Sequence, residues 1–174
     1  MKYLLGLTLL FSTALAAPPT CQELVDSVEA AFDIASEVTM TTEIMQGERE
    51  FAYSEVLLFK DDAGEWQSEI VEQRGRQQPD DEDDGEEPDF AFSCEGGAVS
   101  EAEDGWLLEL PKQDSEIPVN AWALTFTDRL GNTVPVEIAG DFEARILLVP
   151  FKGTFSTRFT DWDVPVNVDV KPGD

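Results

Sequence analysis

The chain has 174 residues, 42% of them hydrophobic, and carries 37 Asp and Glu against 11 Lys and Arg, a formal net charge of −26. That balance excludes nucleic acid, whose binding needs Lys and Arg to release phosphate counterions, and disfavours anionic lipid headgroups for the same reason. No histidine is present, which removes Ser-His-Asp and Cys-His nucleophile systems, ordinary zinc sites and the usual general base near neutral pH.

Residues 1–16 read as a signal peptide. Lys2 gives a short positive start, Leu4 to Phe11 an apolar run, and Ala14-Leu15-Ala16 a small-x-small cleavage site. The run is shorter than the about 20 residues that span a bilayer, so no transmembrane segment is expected; an uncleaved anchor is the alternative. Pro18-Pro19-Thr20 stand before Cys21 where a lipobox has small residues, so Cys21 is not a lipidation site. The expected product is soluble, periplasmic or secreted, with residues 17–174 forming one domain.

Thr20 to Ser36 predicts a helix. Thr20 and Glu23 form a capping box. Cys21, Leu24, Val25, Val28, Ala31, Phe32 and Ala35 share one face, and Gln22, Asp26, Glu29 and Asp33 the other. In an oxidising compartment Cys21 and Cys94 are expected to pair. The bridge would close a loop of roughly 70 residues and stabilise the fold by about 4 kcal/mol on the chain-entropy account. A redox pair would need Cys-x-x-Cys spacing, which is absent.

The rest reads as strands. Val38, Met40, Thr42 and Ile44 alternate with Thr39, Thr41 and Glu43. Phe51 to Phe59 and Trp66 to Gln73 flank a turn at Asp61 to Gly64. Trp106 to Leu110 is a short strand. Ala121 to Thr127 and Val134 to Ile138 flank Asp128 to Asn132. Phe142 to Val149 and Thr154 to Thr160 flank Pro150 to Gly153. Thr160 then leads into Asp161-Trp162-Asp163, read as an aromatic turn before a last run through Val166, Val168 and Val170. One helix before hairpins in series predicts an α+β fold: a curved antiparallel meander with the helix on its concave face.

An acidic low-complexity segment at about 76–89 interrupts the strands and predicts a mobile loop. Asp80, Glu82, Asp84 and Gly85 match the start of an EF-hand loop, but Ala91 stands where its bidentate Glu belongs. An EF-hand is therefore rejected, and weak, delocalised cation binding is the remaining metal reading.

No phosphate-binding glycine loop is present, since Gly96-Gly97 stands alone. A two-carboxylate glycosidase is chemically allowed, yet no pair stands out among so many acids. The expectation is a protein that is not an enzyme and uses no cofactor. The aromatic residues on the strands have two readings. One is plain core. The other is an apolar ligand surface, with Val38, Met40, Phe51, Trp66, Trp122 and Phe126 as the binding candidates.

Phe159-Thr160-Asp161-Trp162-Asp163-Val164-Pro165-Val166 resembles the closing strands of the lipoprotein-carrier superfamily, which includes outer-membrane lipoprotein-sorting proteins and mycobacterial glycolipid-carrier lipoproteins. A short helix after an export signal, then a Thr-rich strand, is similar as well. The resemblance implies a half-barrel that holds acyl chains between sheet and helices, and hence a carrier for a lipid or a lipidated protein. The alternative is an extracytoplasmic interaction module that uses its acidic loop and takes no small-molecule ligand.

Overall fold

The computed structural model describes residues 17–75, 92–113, 119–146 and 149–165. The expected signal peptide, the acidic segment at 76–89 and the run through Val166, Val168 and Val170 lie outside the described residues.

The fold is close to all-β, which corrects the α+β expectation. One 14-residue helix, α1 (Cys21–Ile34), precedes eight strands. They are β1 (Glu37–Gln46), β2 (Arg49–Lys60), β3 (Trp66–Gly75), β4 (Ala98–Ala102), β5 (Gly105–Pro111), β6 (Val119–Arg129), β7 (Asn132–Ile146) and β8 (Val149–Asp163). The helix stays single because alternation, not 3.6-residue periodicity, governs every later described segment.

All strands pair antiparallel in one open, curved sheet of order β3-β2-β1-β8-β7-β6-β5-β4. This is two meanders joined at the centre, where the first strand lies beside the last. Consecutive strands β3 and β4 therefore form the two opposite edges.

Two hairpins form at the expected places. Asp61 Oδ1 accepts from the Ala63 and Glu65 amides, and Gly64 takes φ 84° to close β2 onto β3. Leu130 (φ 55°) and Gly131 (φ 84°) make a tight turn between Arg129 and Asn132. Two other expectations are corrected. Pro150 to Gly153 is no turn but part of β8, paired with Arg145 to Phe142. Asp161-Trp162 is a β-bulge inside β8: Thr160 pairs with Thr39 and Asp163 with Glu37, so the bulged strand carries extra backbone opposite Val38. Asp161 takes φ 55° there. The bulge turns Trp162 to the same face as Phe159, which simple alternation would forbid.

Helix α1 lies on that face. Its capping box forms as expected: the Glu23 amide donates to Thr20 Oγ1, and the Thr20 amide to Glu23 Oε2. Leu24, Val28 and Ala31 are buried against Val38, Leu108, Leu110, Leu124, Phe126, Val134, Ile138, Phe159 and Trp162. Phe32 sits edge-on to Trp66, Phe159 and Trp162, with centroids 5.8, 5.9 and 5.1 Å away. Both helix ends are tied down. Cys21 is bridged to Cys94. At the other end, with no basic residue in the last turn, Lys60 Nζ from β2 donates to the carbonyls of Phe32 (3.0 Å) and Asp33 (2.7 Å). Carbonyls at a helix C-terminus lack intrahelical donors, and a cation there also complements the helix dipole.

Candidate functional site

The six candidates do not form one cluster. Val38 and Phe126, 0% and 1% exposed, are core beneath α1. Met40, Trp66 and Trp122 are partly buried and pack on that core. Phe51 is elsewhere. Its ring packs tilted against Phe151 at 5.0 Å, and Phe151 packs tilted against Phe142 at 5.6 Å.

This second aromatic group shares the helix-covered face but lies toward its other end. Phe151, Phe155 and Phe159 alternate along β8 without a break in register, so they point the same way. Phe159 meets the helix. Phe151 is eight residues earlier, about 26 Å along an extended strand. Ile44, Phe51, Phe142 and Phe151 are half-buried and stand apart from the buried core. Between the two ends lie Phe155 and Trp122, 5.4 Å apart and edge-on, with Phe92 edge-on to Trp122 at 5.2 Å. An apolar, mostly aromatic surface thus continues beyond the part of the sheet that the helix fills.

Glycine shapes this surface. Phe155 pairs with Gly140 across β7 and β8, and Phe142 with Gly153. A Cβ on Gly140 would stand 2.8 Å from Phe155 Cε1, and one on Gly153 would stand 3.0 Å from Phe142 Cζ. Each ring lies where the opposing side chain would be.

Phe92 is held over Trp122 by an adjoining polar contact. The Gln113 side chain, 8% exposed, accepts from the Ser93 amide (2.8 Å) and donates to the Pro111 carbonyl (2.9 Å). The indole N–H of Trp122 itself is buried with no hydrogen-bond partner.

The opposite, helix-free face carries an open groove of about 460 Å³. Register places Glu43, Ser156, Ala139, Ala123 and Glu109 in one row across five strands, with Thr154, Asp141 and Ala121 in the next. Its floor is small side chains and its rim has carboxylates, with Glu43 and Glu109 about 19 Å apart at four strand spacings. Sequence reasoning missed this groove. Its signal is the recurrence of Ala121, Ala123 and Ala139 at outward positions of neighbouring strands, visible only once the register is known. Among the described residues no group of His, Cys, Asp or Glu is placed to hold a metal ion, and no helix is long and apolar enough to cross a membrane. The disulfide is consistent with an extracytoplasmic location.

No protein-family model, no curated protein and no solved structure matches this chain.

Proposed function

We propose that this chain is an exported binding protein for an apolar ligand, an acyl chain or the acyl part of a lipidated partner. The ligand lies along the helix-covered face from Trp122 and Phe155 toward Phe142, Phe151 and Phe51. The observation that carries this reading is that aromatic run, which continues beyond the core. Each acyl CH₂ removed from water contributes about 0.8 kcal/mol, so a chain spanning part of the run needs no charged partner. The net charge of −26 favours neutral ligands over anionic ones. This reading moves the site away from Val38 and Phe126, which serve as core. The test is native mass spectrometry of protein purified from its own host, with titration of a hydrocarbon fluorophore. Copurified lipid and saturable fluorescence that Phe51→Ala and Phe151→Ala weaken are expected. Absence of both copurified lipid and saturable binding would sink the reading.

A second reading rests on the groove of the helix-free face. Its apolar floor and its rim of Glu43, Glu109 and Asp141 suit a basic, extended segment of a partner protein, as an interaction module would bind. Such binding would weaken steeply with salt and fall on Glu109→Lys, whereas hydrocarbon binding on the other face would respond to neither.

A further inference from the structure

We infer that Trp122 Nε1 is the polar anchor of the ligand, and that the ligand pairs its apolar chain with a neutral hydrogen-bond acceptor, an ester or amide carbonyl. The inference rests on the apolar-ligand reading above and deepens it.

Buried donors in folded proteins are almost always paired, because an unpaired one has given up water for nothing. The chain obeys this at Trp162, whose fully buried indole donates through Nε1 to Pro135 O at 2.9 Å. Trp122 departs from it: its N–H is the one buried side-chain polar atom among the described residues without a partner. The departure falls within the apolar run. Trp122 is edge-on to Phe155 and to Phe92 and pairs across the sheet with Gly140 and Leu110. A donor left unpaired within an apolar surface is what a ligand with one acceptor completes.

The acceptor should be uncharged. The cross-strand neighbours of Trp122 are Gly140 and Leu110, neither of which is cationic. The residues next to those in sequence include Glu109 and Asp141 on the far side of the sheet. A free carboxylate would therefore be desolvated with no counter-charge from these positions, which is costly, whereas an ester or amide carbonyl gains the bond without that penalty.

The experiment displaces a hydrocarbon fluorophore, diphenylhexatriene, with three competitors of equal chain length: a fatty-acid methyl ester, the free fatty acid and the alkane. Wild-type protein should bind the ester about tenfold more tightly than the alkane, equivalent to about 1.4 kcal/mol, and more tightly than the acid. In Trp122→Phe the ester-to-alkane ratio should fall to about one. The ratio is the readout, since the smaller ring also changes hydrocarbon contact. If Trp122→Phe does not fold, the wild-type indole N–H resonance still decides. It should shift with ester and not with alkane. An ester-to-alkane ratio near one in wild-type protein, an unmoved indole resonance, or tighter binding of the free acid overturns the inference while the apolar-ligand reading stands. Failure of the fluorophore and of every competitor to bind overturns both.

Discussion

The indole N–H of Trp162 donates to the carbonyl of Pro135 at 2.9 Å, and the bond is buried. It joins two irregular points of neighbouring strands. Pro135 follows no regular ladder, since β6 pairs Phe126 with Pro135 and Thr125 with Glu137, which leaves Val136 as the extra residue. A proline has no amide to give the ladder, so such a break is where one fits inside a sheet. Trp162 follows the β8 bulge at Asp161. One side-chain bond therefore fixes the two bulges relative to each other and seats the indole against Phe32.

Trp162→Phe keeps a ring in the core and removes the donor. The Pro135 carbonyl would then be buried without that partner, at about 1–3 kcal/mol, while Trp162→Ala should cost about 3–5 kcal/mol. Urea unfolding followed by circular dichroism measures both. Equal losses for the two variants would show that the hydrogen bond, not ring volume, dominates; a negligible loss for Trp162→Phe would deny the bond a role.

The Cys21–Cys94 bridge joins the start of α1 to the segment leading into β4, 73 residues away. Its removal by Cys21→Ser with Cys94→Ser should lower stability by about 2–5 kcal/mol. Because Lys60 still holds the other helix end, the sheet should survive and the N-terminal turn of α1 should loosen first. Hydrogen exchange of the amides of Leu24 and Val25 should accelerate more than that of Ile138. Uniform acceleration would mean that the bridge acts on the whole fold instead.

The Glu23 carboxyl is held below its ordinary value of 4.5 because it accepts from the Thr20 amide and hydroxyl. A depressed carboxyl stabilises the folded state above its unfolded pKa, and that contribution is lost as pH falls through the folded value. Glu23→Gln should therefore be less stable than wild type at neutral pH, and the gap should close below the ordinary glutamate range. Thr20→Ala removes the cap hydroxyl and should cost about 1 kcal/mol. Melting temperatures of both variants across the acid range give the answer; a Glu23→Gln gap independent of pH would contradict the assigned cause.

Local features were legible in the sequence. The capping box at Thr20 and Glu23, the Cys21–Cys94 pair and the turns at Asp61 and Leu130 depend on residues whose types act at short range or have no rival partner. Non-local features were not. Pro150 and Gly153 read as a turn, yet β8 absorbs them because Phe142 covers Gly153 from the neighbouring strand. Asp161 and Trp162 read as a turn for the same reason, since a bulge and a turn share residue types and only the partner strand distinguishes them. The split of the aromatics into a core under α1 and a run beyond it depends on which end of the sheet the helix covers. No spacing within one strand encodes that.

Gly140 offers the last test, because it joins stability to the candidate site. A Cβ there would lie 2.7 Å from Ala121 O, 2.8 Å from Phe155 Cε1 and 2.8 Å from Val119 Cγ1. The Phe155 ring could turn aside, but the Ala121 carbonyl is backbone held in the β6–β7 pairing. Gly140→Ala should thus cost about 1–3 kcal/mol as an overpacking change. Moving Phe155 also breaks its edge contact with Trp122, so hydrocarbon affinity should fall with it. Gly64→Ala is the comparison. Nothing stands within 4 Å of its added methyl, and its φ of 84° alone strains the variant, by about 1–2 kcal/mol. It sits in the β2–β3 turn, far from the aromatic run. Matched for lost stability, the two variants should separate on diphenylhexatriene titration, with Gly140→Ala weakened and Gly64→Ala as wild type. Equal affinities would place the ligand off the Trp122–Phe155 surface.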